Sequence, residues 1–255
     1  MTSYGIVGAG RVGSTVAMGL ARGGHHVIVV DKFADKAYGL ADTQPTITAV
    51  DRVSEVGDCE VVLEAIPDEL DSKISVLSRL ANSSAVAVLT ATSSFTVAQL
   101  ARASGLGERL AGFHFLPTSA GSGLIEISGA TSTGNKAIDA AVTLSDALGI
   151  PWMRVSDVPG RVTRRLLVPF INQVLDAAAR GVASPQDIDR VVNLGLGHPV
   201  GPLVALKRAG LDDHIQVADN LYRQFGDPAF EVPTRLTDHE ETIQAISDMT
   251  EERIK

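Results

Sequence analysis

The sequence predicts an α/β chain: a Rossmann-like doubly wound sheet followed by an all-α C-terminal domain. Three observations carry this expectation. Short apolar, β-branched runs alternate with amphipathic helical stretches from Tyr4 to Val155. A Gly-x-Gly-x-x-Gly turn, Gly8, Gly10 and Gly13, joins the first of those strands to the first helix. The alternation stops at Ser156-Asp-Val-Pro-Gly160, after which the periodic segments all read as helices. The boundary is therefore placed near residue 157, dividing the chain into domains of residues 1–157 and 158–255.

Taken in order, Tyr4-Gly-Ile-Val-Gly8 is a short buried strand and Arg11 to Arg22 a helix with small apolar residues facing inward. His26 to Asp31 is a second strand, and the segment from Asp31 to Val61, with Pro45, reads as a loop. Glu60 to Ile66 is a strand and Asp68 to Leu80 a helix, with apolar residues at Leu70, Ile74, Val76, Leu77 and Leu80. Ala85 to Thr90 is a strand and Val97 to Ala103 a short helix. Leu110 to Leu116, Gly123 to Ile127 and Trp152 to Val155 read as strands, with a helix from Asn135 to Leu148 between the last two. The helical part comprises Val162 to Arg180, Pro185 to Leu194, Pro202 to Arg208 and Leu211 to Phe225. Ser184-Pro185 is a clean helix start, serine as cap and proline in the first turn. The charged tail from Thr237 to Lys255 reads as one solvated amphipathic helix.

The glycine turn has a specific use. Gly8 permits the tight turn, Gly10 lets backbone approach a pyrophosphate, and Gly13 lets helix and strand pack closely. The anion would rest on the helix N-terminus, where unpaired N–H groups and the dipole favour it. Asp31 ends the second strand 18 residues after Gly13. A carboxylate there accepts from both ribose hydroxyls of an adenosine and repels a 2′-phosphate, which favours NAD; the neighbouring Lys32 leaves room for NADP.

Composition bounds the class. At 255 residues with 45% hydrophobic and only 4% aromatic content, the core is built from Ala, Val, Leu and Ile, as in parallel sheets. The net charge of −8 shows no basic stripe, so no nucleic-acid partner is expected. No apolar run reaches membrane-spanning length and no signal peptide precedes the first strand, so no membrane partner is expected. Cys59 is the single cysteine, expected half-buried ahead of a strand, which excludes an internal disulfide and fits a cytoplasmic location.

Three residues carry candidate chemistry: Ser93 in Ala-Thr-Ser-Ser-Phe, His114 in Gly-Phe-His-Phe and Glu126 in Leu-Ile-Glu-Ile. Oxidising a secondary alcohol requires a proton acceptor as hydride leaves carbon. Histidine is suited because its ordinary pKa of roughly 6.5 lies near working pH, and a paired carboxylate holds its tautomer and stabilises the imidazolium. The bland alternative is a core histidine and a glutamate that merely satisfy each other. The remaining histidines get structural readings: His25 and His26 enter a strand, His198 lies in a loop, and His214 and His239 are expected exposed. No spacing suggests a metal site.

These segments together resemble the L-3-hydroxyacyl-CoA dehydrogenase family over nearly the whole chain. The matching pieces are Gly-Ala-Gly-Arg-Val-Gly at 8–13, Val-Val-Leu-Glu-Ala-Ile at 61–66, Thr-Ser-Ser-Phe at 92–95 and Gly-Phe-His-Phe at 112–115. Leu-Ile-Glu-Ile at 124–127, Pro-Gly at 159–160, Arg-Leu-Leu-Val-Pro at 165–169 and Gly-His-Pro-Val-Gly-Pro-Leu at 197–203 extend the match. The resemblance implies that His114 is the general base or acid on a substrate 3-hydroxyl, that Glu126 orients it, and that Ser93 hydrogen-bonds the substrate oxygen. It also implies that Ala65 and Lys73 line the cofactor near its nicotinamide half, and that the helical domain pairs two copies into a homodimer.

The chain departs from that family pattern in four places. The Asp31–Val61 segment is too short for the family's long helical hairpin, which helps grip the adenine end of coenzyme A. Arg164 stands where the family has a catalytic Asn, Pro117 and Thr118 replace an Asn-Pro, and Lys207 replaces an Asp, in a chain without the family's basic glycine-rich C-terminal stretch. Arg164 reads either as a solvated helix-start arginine or as a guanidinium for a substrate carboxylate. The expected function is NAD-dependent hydride exchange with a 3-hydroxyacyl or 3-oxoacyl substrate, a small molecule or a carrier-bound acyl group. The alternatives are a reductase for another hydroxy acid or imine, or a non-catalytic NAD-binding protein.

Overall fold

The computed structural model describes residues 3–117 and 123–233. The chain forms two compact units, dividing between Arg161 and Val162.

The first unit runs β1 (Ser3–Val7), α1 (Arg11–Arg22), β2 (His26–Val30), α2 (Ala34–Ala41), β3 (Ile47–Ala49), α3 (Val53–Val56), β4 (Val61–Glu64) and α4 (Leu70–Leu80). It continues β5 (Ala87–Thr90), α5 (Val97–Ser104), β6 (Leu110–Pro117), β7 (Gly123–Ser128), α6 (Asn135–Leu148) and β8 (Trp152–Arg154). The strands make one eight-stranded sheet in the order β3-β2-β1-β4-β5-β6-β7-β8. Neighbours are parallel except β6 and β7, which run antiparallel. Strand order reverses between β1 and β4, where open α/β sheets leave a crevice at the carboxyl ends of their strands.

Both faces of the sheet are covered, and side-chain alternation divides them. Tyr4, Ile6, Leu63 and Leu89 pack with α1 and α6 on one face, through Val16, Leu20, Ala141 and Leu144. Val7, Val62 and Val88 pack with α4 and α5 on the other, through Leu77, Leu80 and Leu100. Gly13 makes this closeness possible at the first crossover: a Cβ there would collide with the carbonyl oxygen of Gly8. Gly8 itself has φ +102°, a conformation other residues resist.

Two expectations for this unit are corrected. Residues between Asp31 and Val61 are not a loop: they form α2, the edge strand β3 paired with β2, and the single turn α3. Cys59 is fully rather than half buried, and desolvation pushes its thiol pKa up to about 11.

The second unit contains α7 (Thr163–Ala179), α8 (Pro185–Arg190) continuing into a π turn at Val191–Gly195, α9 (Pro202–Ala209), α10 (Leu211–Phe225) and a short turn at Pro228–Phe230. Ser184 caps α8, its hydroxyl accepting from the Asp187 N–H at 3.1 Å. α7 is the centre of this unit. Ile171 and Leu175 pack on Leu203 and Leu206 of α9, and Val168 on Val217, Leu221 and Phe230. His214, expected exposed, is buried here. Its ring Nε2 lies 2.9 Å from the Asn172 side-chain oxygen, and the Asn172 amide donates to the carbonyls of Ala229 and Glu231. The expected tail helix from Thr237, together with His239, and the position of Thr118 fall outside the described residues.

Candidate active site

The sheet brings most of the sequence-selected residues to one edge. Gly8 follows β1, Asp31 follows β2, Ala65 follows β4, Ser93 lies just beyond β5, and His114 sits near the end of β6. A cavity of about 950 Å³ opens at this edge, and Gly8, Gly10, Asp31 and Ala65 are among its lining residues. Lys73 is not. Its side chain is fully buried, with Nζ 2.8 Å from Glu64 Oε1, 3.1 Å from the Ile66 carbonyl oxygen and 3.5 Å from Asp68 Oδ1. The expectation that Lys73 lines the cofactor is corrected: three oxygen neighbours draw its ammonium beneath the β4–α4 loop.

The cavity fits a dinucleotide on its own geometry. A Cβ on Gly10 would meet nothing within 4 Å, so backbone there faces open space. The first turn of α1 has neither a side-chain cap nor an acidic residue, leaving its N–H groups and positive dipole end for an anion. Asp31 is held ready: Oδ2 accepts from the Ala9 N–H at 2.6 Å and Oδ1 from the Phe33 N–H at 2.8 Å. A carboxylate has about four acceptor positions, so each oxygen keeps capacity for one ribose hydroxyl.

The candidate acid–base pair sits on β6 and β7. His114 and Glu126 are directly opposite in the antiparallel register, which is why two residues twelve apart in sequence meet. The ring Nδ1 is 2.8 Å from Glu126 Oε2, and both residues are buried. With Nδ1–H donating to the carboxylate, a tautomer assigned from that partner, Nε2 becomes the basic nitrogen.

Ser93 has a partner that the sequence did not reveal. Asp68, between β4 and α4, accepts at Oδ2 from the Ser93 N–H and hydroxyl, both at 2.7 Å, and from the Ser94 N–H and hydroxyl, both at 3.0 Å. Burial alone would raise the Asp68 pKa. The Lys73 ammonium and hydrogen bonds from Thr92 and Ser93 outweigh it and hold the carboxyl well below the usual carboxylate range. Asp68 is therefore anionic, and the Ser93 proton points at it. Behind Ser93, Glu64 binds Lys73, the Ile66 N–H and the Thr90 hydroxyl, so β4, α4 and β5 share one ionic knot.

Arg164 lies in the first turn of α7, in the second unit. Burial, helped by the Arg164 charge, lowers the His214 pKa to about 4. Among the described residues no cluster of His, Cys, Asp and Glu could hold a metal ion, and no helix is long and apolar enough to cross a membrane.

A glycine turn on a parallel sheet, beside a buried histidine–carboxylate pair, defines the class of nucleotide-linked dehydrogenases. The comparisons sharpen it. Residues 36–158 match the family model for the 3-hydroxyacyl-CoA dehydrogenase NAD binding domain, and residues 160–246 match the model for its C-terminal domain. The chain is 31% identical to the human mitochondrial hydroxyacyl-coenzyme A dehydrogenase over 81% of its own length and 76% of that protein. It is 28% identical to a probable 3-hydroxybutyryl-CoA dehydrogenase of Deinococcus radiodurans over 89% of this chain and 90% of that one. The crystal structure of (S)-3-hydroxybutyryl-CoA dehydrogenase from Ralstonia eutropha superposes with a TM-score of 0.80 at 27% identity, covering 93% of each chain. The chain belongs to the 3-hydroxyacyl-CoA dehydrogenase family, as an NAD-dependent oxidoreductase of 3-hydroxyacyl substrates.

Proposed function

We propose that His114 exchanges the proton of the substrate 3-hydroxyl, with Glu126 fixing its tautomer and Ser93, its hydroxyl turned from Asp68, donating a hydrogen bond to the same oxygen. The observation that carries this is the buried 2.8 Å contact between His114 Nδ1 and Glu126. Bound NAD supplies the hydride acceptor for the alcohol and, as NADH, the donor for the ketone. The chain's own part is to take or return the proton at Nε2. The buried carboxylate opposite stabilises the imidazolium as it forms. Asp31, anchored by two backbone donors, disfavours a 2′-phosphate, so NAD is the working nucleotide.

The substrate handle is a carrier-bound acyl group or a small anionic acid. Between Asp31 and Val61 the chain has only the eight-residue α2, a three-residue edge strand and one helical turn, little to hold the adenosine end of free coenzyme A. Arg164 adds a cation in the first turn of α7, and a planar guanidinium is suited to pair with a substrate carboxylate. The protein works in the cytoplasm as a homodimer built on its helical unit. That unit exposes Leu166, Val182, Val191, Leu194 and Leu196, each by more than 60%.

A single experiment tests the nucleotide and the handle together: steady-state turnover of acetoacetyl groups on coenzyme A, on a carrier protein and as the free acid, each with NADH and NADPH. Expected are NADH preference, poor use of the coenzyme A thioester, and weakening of the free acid in Arg164→Asn by about 1.5–3 kcal/mol, the usual worth of a charge-assisted bond. Efficient turnover of acetoacetyl-CoA would overturn the handle, and NADPH preference would overturn the reading of Asp31.

A further inference from the structure

Arg161 is the largest fully buried side chain of the described residues, at 1% exposure, and no step above uses it. It is also the one non-glycine residue among them with a positive φ, 46°. That conformation is uncommon and costs energy, so surrounding contacts must hold it. They do. Its Nη1 donates to the Thr92 carbonyl oxygen at 2.6 Å and its Nε to the Ser128 hydroxyl at 3.1 Å. The preceding Gly160 N–H donates to the Ser93 carbonyl oxygen at 2.9 Å. Asp157, four residues earlier, accepts from the Val97 and Ala98 N–H groups at the start of α5. Gly112 on β6 keeps the pocket open: a Cβ there would sit 2.8 Å from Arg161 Nη2. Nη2 is buried with no hydrogen-bond partner.

One guanidinium thus ties the loop that bears Ser93 to the end of the strand that bears Glu126. The charges that face it are Asp68 from the β4–α4 loop, Asp157 from its own turn and Glu126 from β7. Asp68 also faces Lys73, and Glu126 also faces His114. A buried cation left incompletely bonded is costly, and its retention calls for a purpose.

We propose that Arg161 is a positioning residue for the reaction: its buried guanidinium fixes the Ser93 loop against β7, and its charge sets the pH at which the His114–Glu126 pair can accept a proton. This rests on the reading of His114 as the proton-exchanging group. The sign follows from Coulomb's law. A cation near the pair disfavours the imidazolium, so removing it makes His114 hold its proton to higher pH.

The test uses the full chain with 3-hydroxybutyryl thioesters, NADH binding followed by fluorescence, and kcat/KM for oxidation followed against pH. Arg161→Met is expected to bind NADH within about threefold of the parent, to lose roughly tenfold or more in kcat, and to move the acid limb up by about half a pH unit or more. Arg161→Lys keeps the charge without the fork, so its limb stays near the parent's while kcat remains low. Ser128→Ala, a mild change that preserves folding if Arg161→Met does not, loosens the fork and lowers kcat a few-fold without moving the limb. Parent-like kcat and limb in Arg161→Met, or parent-like kcat in Ser128→Ala where the first variant does not fold, would overturn the proposal. A limb in Arg161→Lys displaced as far as in Arg161→Met would overturn the charge role. His114→Ala separates the two levels: full turnover in that variant sinks the underlying reading, whereas loss there beside unchanged Arg161 and Ser128 variants sinks this one alone.

Discussion

In the nucleotide unit several of the buried polar contacts involve ionisable groups: Glu64 with Lys73, Asp68 beneath Ser93 and Ser94, His114 with Glu126, and Arg161 on the Thr92 carbonyl and Ser128 hydroxyl. In the helical unit the comparable contacts run between neutral groups, His214 to Asn172 and Asn172 to two carbonyls. Its buried acid, Asp189, accepts the Leu203 and Val204 N–H groups at the start of α9, and burial raises its pKa. Burying a charge costs several kcal/mol more than burying a hydrogen-bonded neutral group, so a chain that does so repeatedly in one region keeps those charges for a reason other than stability. Here the ionic groups gather around the residues proposed to handle a proton. The helical unit, which has no such task among its described residues, satisfies its buried polarity cheaply.

The largest effect expected from this contrast is chemical. His114→Ala should lower turnover by about 10²–10⁴-fold, the usual worth of general acid–base catalysis, while NADH still binds. Stopped-flow or steady-state NADH kinetics with parallel fluorescence titration would show it, and undiminished turnover would place the base elsewhere.

Next comes the ionic knot. Lys73→Met should cost about 3–5 kcal/mol in urea unfolding, because it strands the Glu64 carboxylate in a fully buried site. Adding Glu64→Gln should recover much of that loss, since the pair together is worth far less than one broken half. If the single variant costs under a kilocalorie, the pair is more solvated than its burial indicates.

Much of this architecture is legible from the sequence, and the failures have physical causes. The strands of the doubly wound sheet announce themselves as apolar β-branched runs, and His114 and Glu126 meet because adjacent antiparallel strands put them in register. α2 and β3 do not announce themselves: Ala34–Ala41 has no side-chain cap, and β3 is a three-residue edge strand. Asp68 and Ser93 are 25 residues apart and join only through the packing of the loops after β4 and β5. Lys73 and His214 could have been found. Lys73 shares the helical stripe of Leu77 and Leu80, and His214 that of Val217, Ala218 and Leu221, so the i, i+3, i+4, i+7 period buries each despite its polarity. A flanking pair of aspartates, Asp212 and Asp213, makes His214 look exposed when read by composition alone.

Acid should separate the two units. The His214 pKa is lowered to about 4 from 6.5, so the unfolded chain takes up this proton first as pH falls. The neutral ring contributes its full stabilisation above pH 6.5; that contribution declines as pH drops below 6.5 and is gone below about 4. The total is on the order of 3 kcal/mol. Asp68, with its pKa held low, behaves oppositely: its contribution is complete above the usual carboxylate value and persists to strong acid. Hydrogen exchange between pH 6.5 and 4 should therefore show α7 and α10 losing protection ahead of the sheet. His214→Gln, which can still donate to Asn172, should flatten that trend. A sheet that opens first would break the comparison.

The smallest effect on stability is expected on the helical unit's surface. Leu166 is 70% exposed, and a side chain so placed in an isolated chain gains little from burial. Leu166→Ser should therefore change monomer unfolding by no more than about 0.5 kcal/mol, the range of ordinary surface substitutions. Its consequence for assembly should be larger than its consequence for folding. If Leu166 belongs to a homodimer face, light scattering on the parent should give twice the 26.7 kDa chain mass, and the variant should shift toward the single-chain value on dilution. A parent mass near 26.7 kDa at every concentration would show that this unit tolerates its exposed leucines without a partner. The contrast between the units would then lie in their buried groups alone.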